Sequence, residues 1–185
     1  MCVLIIKPAG AKMPARDILD ACRKRNPDGC GFVSPTAKYK GLDYERFLHE
    51  LSKVNDADPC IIHFRWATHG SVRPSNCHPF EAEYNGKPVY FAHNGVLSIP
   101  VVGDLTDSEV CFKTRLMPTI RHFGFKSPKV ADAVFRVIGG SKFALMYDGH
   151  VRMFGHYHNI GGVYYSNLYF VSLMDNPLEF YARAV

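Results

Sequence analysis

A cysteine stands directly behind the initiator methionine in the opening stretch MCVLIIK. Removal of Met1, which a small second residue favours, leaves Cys2 with a thiol and a free α-amine, whose ordinary pKa values are about 8.5 and about 7.7–8.0. An amine titrating that close to neutral pH can take up the thiol's proton, directly or through a water, so one residue supplies both nucleophile and general base. The same cysteine also serves as a small hydrophobe at the head of an apolar strand.

Three other stretches carry groups that fit around such a nucleophile. HFRWATHG (63–70) sends Arg65 out of a strand towards Trp66, Thr68 and His69, and a guanidinium is a planar donor fork matched to a carboxylate. Its plainer reading is a rim arginine paired with an acidic neighbour. AHNGV (92–96) sets the Asn94 amide beside the Gly95 N–H, the donor pair that an oxyanion requires; Asn-Gly is also an ordinary turn. Asp107 lies just inside a helix start, where a carboxylate suits the helix dipole whatever else it does.

The elements that must position these groups follow from periodicity. CVLIIK reads as a strand beginning at the second residue, and Ile18, Leu19 and Cys22 recur at helical spacing between Pro14 and Arg25. CGFVS (30–34) is a second strand, and Tyr44, Phe47, Leu48 and Leu51 trace one helix face within 43–54. CIIHFRWAT (60–68) and VYFAHNG (89–95) are strands, with a loop rich in Gly, Pro and Asn over 69–79. Thr106 and Glu109 have capping-box spacing for a helix reaching about His122, and Ser127-Pro128 opens another that ends at Gly139-Gly140. KFALMYDGHVRMFG is a hairpin about Asp-Gly, and GVYYS, LYFVSL and EFYARAV read as further strands. Burying all these faces calls for an α+β, four-layer αββα sandwich of two mainly antiparallel sheets flanked by helices. No linker or repeat divides the chain, so 1–185 is expected to be one domain, its mature form beginning at Cys2.

Composition narrows the function classes. The chain has 185 residues, 47% hydrophobic and 21% charged, which is ordinary for a globular domain and unlike disorder. No apolar stretch approaches the roughly 20 residues of a membrane span, and the short opening run lacks the basic flank of a secretory signal. A cytoplasmic protein without a membrane role is expected. Its net charge of +5 is scattered, so no specific nucleic-acid binding is expected. The six cysteines show no Cys-x-x-Cys pair and read as reduced thiols. Cys77-His78 and His156-x-His158 lack further ligands at metal spacing, so neither a metal nor another cofactor is expected.

Taken together, the penultimate Cys2, HFRWATHG followed by NCHPF (76–80), AHNG and TDSE (106–109) resemble, in order and spacing, the class II glutamine amidotransferases, whose glutaminase domains are N-terminal-nucleophile hydrolases. The likeness is to the glutaminase halves of glucosamine-phosphate synthase and asparagine synthetase, and RNPDGCGF (25–32) resembles the family's Arg-Gly-Pro-Asp turn. The resemblance implies the N-terminal-nucleophile fold for nearly the whole chain. It implies Cys2 as the nucleophile, attacking the L-glutamine side-chain amide to give ammonia and, through a γ-glutamyl thioester, glutamate. Asn94 and Gly95 would hold the oxyanion, Arg65 the substrate carboxylate with help from Trp66, Thr68 and His69, and Asp107 the α-ammonium. His78 and Pro79 are given a structural or gating role.

One departure is Val3-Leu4 behind the cysteine, where many relatives have Gly-Ile. Because no acceptor domain follows Val185 in the sequence, the ammonia is expected to serve a separate synthase subunit, or the protein to be a free-standing glutaminase. The alternatives are an amidase for another γ-glutamyl amide or peptide-like bond, and a non-catalytic module that binds glutamine or a partner.

Overall fold

The computed structural model describes residues 1–182. The first half of the chain carries β1 (Val3–Lys7), α1 (Arg16–Arg25), β2 (Cys30–Val33), β3 (Lys38–Gly41), α2 (Tyr44–Leu51), β4 (Cys60–Phe64), β5 (Phe80–Tyr84) and β6 (Lys87–Asn94). The second carries α3 (Asp107–Cys111), α4 (Met117–Phe123), α5 (Pro128–Phe135), β7 (Lys142–Tyr147), β8 (His150–Phe154), β9 (His158–Ile160), β10 (Val163–Tyr165) and α6 (Pro177–Ala182). The strands make a six-stranded sheet, β3-β2-β4-β1-β10-β9, and a four-stranded sheet, β5-β6-β7-β8. Every pairing in both is antiparallel.

Strand alternation sorts the side chains into three apolar layers. Val3 and Ile5 of β1 and Cys60, Ile62 and Phe64 of β4 face outward, against Ile18, Leu19 and Cys22 of α1 and Phe47 and Leu51 of α2. Val89 and Phe91 of β6 and Phe143 and Leu145 of β7 face the other way, against Cys111, Ile120, Val130 and Val134. Leu4, Ile6, Val33, Ile61, Ala92, Ala144 and Met146 fill the gap between the sheets. Ala92 and Ala144 are register partners, and two small side chains opposite each other let the sheets approach there. Burying each of the larger groups is worth about 1.5–3 kcal/mol. The expected four-layer αββα architecture is the one observed.

Capping follows the sequence closely. Asp43 accepts from Arg46 N at 3.0 Å, and Thr106 Oγ1 from Glu109 N at 3.1 Å. Glu109 does not complete a reciprocal box; its carboxylate pairs with Lys113 at 2.7 Å. Between α3 and α4 the backbone widens into a π-helical turn, Phe112–Leu116. Pro118, just beyond it, has no N–H for the preceding turn and its ring crowds the Thr114 carbonyl, which accounts for the widening.

Several expectations need correction. LYFVSL (168–173) is not a strand but ends in a 3₁₀ turn, Val171–Leu173. EFYARAV lies on α6, apart from residues 183–185, which are outside those described. Its adjacent Phe180 and Tyr181 favour a strand, but Asn176 Oδ1 accepts from Glu179 N at 3.4 Å and Pro177 sets the first turn, which starts a helix. The strand begun at Cys60 ends at Phe64, leaving Arg65 to Thr68 in the loop. β3, β5 and β9 carry charged or exposed residues that weaken the apolar pattern, so periodicity does not signal them.

Candidate active site

The same alternation that builds the core aims the candidate residues. Cys2 lies two residues before inward-facing Leu4, Arg65 four after inward-facing Ile61, and Asn94 two after inward-facing Ala92. All three therefore emerge at one end of the gap between the sheets, where Cys2 is partly exposed and Arg65 and Asn94 are buried. His93, one residue out of phase, faces the helices.

Cys2 is partly exposed and the other five thiols are buried; all six are free. Trp66 N donates to Cys2 Sγ at 3.3 Å, the thiol lies 3.4 Å from Trp66 O, and Asn167 Nδ2 donates to Cys2 O at 2.8 Å. Burial raises the thiol's pKa, while the Trp66 N–H, the chain's terminal ammonium and the Arg65 guanidinium each pull it back. Burial pushes Cys30 and Cys111 to about 12 and raises Cys77 against the pull of Arg65, Lys40 and Arg23. Access, rather than thiol acidity, sets Cys2 apart from the buried cysteines.

Arg65 is buried, and its fork holds the loop that follows it. Nη1 donates to Ser71 O at 3.1 Å, and Nη2 to His69 O at 3.0 Å and Gly70 O at 3.3 Å. Trp66 contributes its backbone to the site, with the side chain 46% exposed, and Thr68 and His69 are exposed. Asp104 ties the far side of the loop: its carboxylate accepts from Ser71 N at 2.7 Å and Ser71 Oγ at 2.6 Å, and meets Arg73 at 3.0 Å.

The Asn94–Gly95 corner is equally constrained. Gly95 has φ +145°, where side chains are strained, and a Cβ there would come within 2.7 Å of Ser141 Cβ. Asp107 Oδ2 accepts from Leu97 N at 2.7 Å, and Oδ1 from Ser108 N at 2.7 Å. The carboxylate thus fastens the start of α3 to the strand-leaving turn. Ser108 Oγ donates to Asp107 Oδ1 at 3.2 Å, so it accepts from His93 Nδ1 at 2.8 Å, which assigns the ring proton to Nδ1. Burial lowers the His93 pKa to about 4 against the pull of Asp107.

Structure adds residues that the motifs did not single out. Asp28 Oδ2 accepts from Ala67 N at 2.8 Å, and so sets the backbone that offers Trp66 N–H to the thiol. It lies inside RNPDGCGF, whose likeness to the family turn was its available signal. Ser166 and Asn167 reach the site only because β10 pairs with β1, Ile5 opposite Tyr165; in sequence they look like the end of a short strand. Among the described residues no group of three or more His, Cys, Asp or Glu side chains is arranged to hold a metal ion. No helix among them is long and apolar enough to cross a membrane.

A family model for the class II glutamine amidotransferases matches residues 47–153. That span includes Arg65, Asn94, Gly95 and Asp107 but not Cys2. Glutamine phosphoribosylpyrophosphate amidotransferase from B. subtilis, solved with ADP and GMP, is similar at 22% identity and a TM-score of 0.60. A structure described as the allosteric regulatory enzyme of purine biosynthesis is similar at 23% identity and a TM-score of 0.60. Each similarity covers 89% of this chain and 41% of the other, so the chain spans about two fifths of the length of those proteins.

Proposed function

This chain belongs to the class II glutamine amidotransferases, and we propose that it releases ammonia from the side-chain amide of L-glutamine, with Cys2 as nucleophile. With Met1 removed, the Cys2 α-amine takes the thiol proton and the sulfur bonds to the amide carbon. The carbonyl electrons move onto oxygen, where the Asn94 amide and the Gly95 N–H receive them. The α-amine then gives its proton to the leaving nitrogen, ammonia departs, and a γ-glutamyl thioester remains. Water adds to the thioester, its proton passing to the same amine and on to sulfur, and glutamate leaves with the thiol restored.

Arg65 and Asp107 present one cation and one anion to the zwitterionic head of glutamine. Because the Arg65 fork also holds the carbonyls of residues 69–71, an arriving carboxylate competes with them, and binding is linked to the position of the loop. Trp66, Thr68 and His69 line that loop. The ammonia passes to an acceptor-using synthase, as a separate subunit or as a further part of a larger enzyme. The six free thiols suit a reducing, cytoplasmic setting.

The observation that carries this reading is the meeting of the one partly exposed thiol with the Trp66 backbone, at the gap end where Asn94 also emerges. Intact-mass measurement before and after exposure to a glutamine-mimicking electrophile tests it. Loss of Met1 with a single adduct at Cys2, and ammonia release abolished in Cys2→Ala, are expected; retained Met1 without an adduct refutes catalysis. Ammonia from a γ-glutamyl amide other than glutamine, with none from glutamine, would reassign the substrate.

A further inference from the structure

Two buried polar groups meet beside Asn94 in a way that its place in the site does not explain. Ser166 is 2% exposed. Its Oγ accepts from Leu4 N at 2.8 Å, and its own N–H donates to Leu4 O at 2.9 Å, so it is clamped to the strand that carries Cys2. The same Oγ lies 2.7 Å from Asn94 Nδ2, which donates to it, while Asn94 Oδ1 is buried with no hydrogen-bond partner among the described residues.

A serine hydroxyl has one proton to give. In this orientation Oγ accepts from two donors, and Asn94 carries an unpaired buried carbonyl, which costs about 1–3 kcal/mol. The two ends of an asparagine amide have nearly the same shape, so the pocket accepts either. Turning the amide over lets the Ser166 hydroxyl donate to Asn94 Oδ1 while still accepting from Leu4 N. The carbonyl gains its donor, and the NH₂, giving up its bond to Ser166, takes the buried corner where the carbonyl had no partner and is left free to meet an oxyanion.

We propose that Ser166 is a positioning residue: its hydroxyl selects the amide orientation that presents Asn94 NH₂ as an oxyanion donor, and Leu4 ties that choice to the nucleophile's strand. The proposal rests on the reading of Asn94 as an oxyanion donor. Asn167, whose Nδ2 holds the Cys2 carbonyl at 2.8 Å, completes the link, so two adjacent residues after β10 set the nucleophile and the oxyanion donor together. No atom of Ser166 needs to touch substrate.

Glutaminase kinetics on the processed full chain, together with side-chain amide NMR, test this. Removing an oxyanion donor typically lowers kcat by about 10²–10³, so Ser166→Ala, which misdirects the donor without deleting it, is expected to lose about 10–100-fold in kcat with KM within about threefold. Ser166→Thr, keeping the hydroxyl, is expected to recover most of the rate. In an Asn94→Ala background Ser166→Ala should cost nothing more. Rate loss fully additive with Asn94→Ala, or a Ser166→Ala rate equal to wild type, overturns the proposal. If Asn94→Ala itself leaves kcat unchanged, the oxyanion reading falls and the proposal with it. The amide orientation is read without activity: strong nuclear Overhauser contacts from the Asn94 NH₂ protons to Ser166 Hβ in the wild type overturn the proposal, and their absence, with the NH₂ protons near Cys2 or Gly95, supports it.

Discussion

Acid should unfold this protein through three histidines, and one substitution isolates the effect. His63, His78 and His93 are all buried, at 0%, 5% and 2% exposure. Burial lowers His63 to about 3 and His93 to about 4, and pushes His78 well below its ordinary range. In the unfolded chain each titrates near 6.5, so below that value unfolding takes up protons that the native rings refuse. Stability is full above about pH 6.5 and falls as pH drops towards the native values, by at most ~1.4 kcal/mol per pH unit for each ring. Between about pH 7.5 and about pH 5 that amounts to at most ~2 kcal/mol for each ring that stays neutral, against a total of about 5–15 kcal/mol for a typical domain. His78 is the one to replace, because neither ring nitrogen has a hydrogen-bond partner among the described residues and its ring packs 4.2 Å from His63 and 4.7 Å from Phe80, centroid to centroid. His78→Phe is expected to stay within about 1.5 kcal/mol of wild type at neutral pH and to lose less stability on acidification, by up to ~2 kcal/mol. Urea unfolding followed by circular dichroism across the pH series measures both. Parallel stability curves for wild type and variant would show that His78 is charged or solvated in the native state, and the reasoning would fail.

Other perturbations read the site directly. Arg65→Lys keeps the charge but cannot span the carbonyls of His69, Gly70 and Ser71; KM for glutamine is expected to rise about tenfold or more, the loss of one charge-assisted bond, and an unchanged KM would remove Arg65 from substrate binding. Gly95→Ala forces a Cβ towards Ser141 at a positive φ, a cost of about 2 kcal/mol or more, so the melting temperature is expected to fall by about 4–8 °C; calorimetry checks it. Asp28→Ala frees the Ala67 N–H and loosens the neighbouring Trp66 N–H, which lowers the Cys2 pKa. The pH midpoint for Cys2 alkylation by iodoacetamide should therefore move upward, and a midpoint that stays put would show that Trp66 is held by other means.

How much of this was legible in the chain differs by kind of feature. Arg65, Trp66, Thr68 and His69 fall in one short segment, and Asn94 and Gly95 are adjacent, so residue type and neighbourhood suffice to nominate them. The layered fold was legible because Leu4, Ile6, Ile61, Ala92 and Ala144 keep strand period in runs long enough to see. Edge strands such as β3 (KYKG) and β5 (FEAEY) were not, since one face is charged and their pairing comes from a neighbour. α6 is ambiguous in sequence because Phe180 and Tyr181 suit either period, and only the Asn176 cap and the packing of Phe180 on Tyr165 and Phe170 decide between them.

By itself the amino-acid order determined the alternation that points Cys2, Arg65 and Asn94 to one side of their strands, and the residue types that make that side chemically able. That is local information, carried by backbone period and side-chain chemistry. Tertiary structure decided which strand ends coincide, and therefore that Ser166 and Asn167, more than 160 residues from Cys2, grip its strand and the Asn94 amide. It also decided that the Arg65 fork holds its own loop and that Asp107 pins Leu97. The Ser166 and Asn167 contacts depend on the register between β10 and β1, which is set by pairing across the whole chain, whereas those of Arg65 and Asp107 depend on how their own loops fold back.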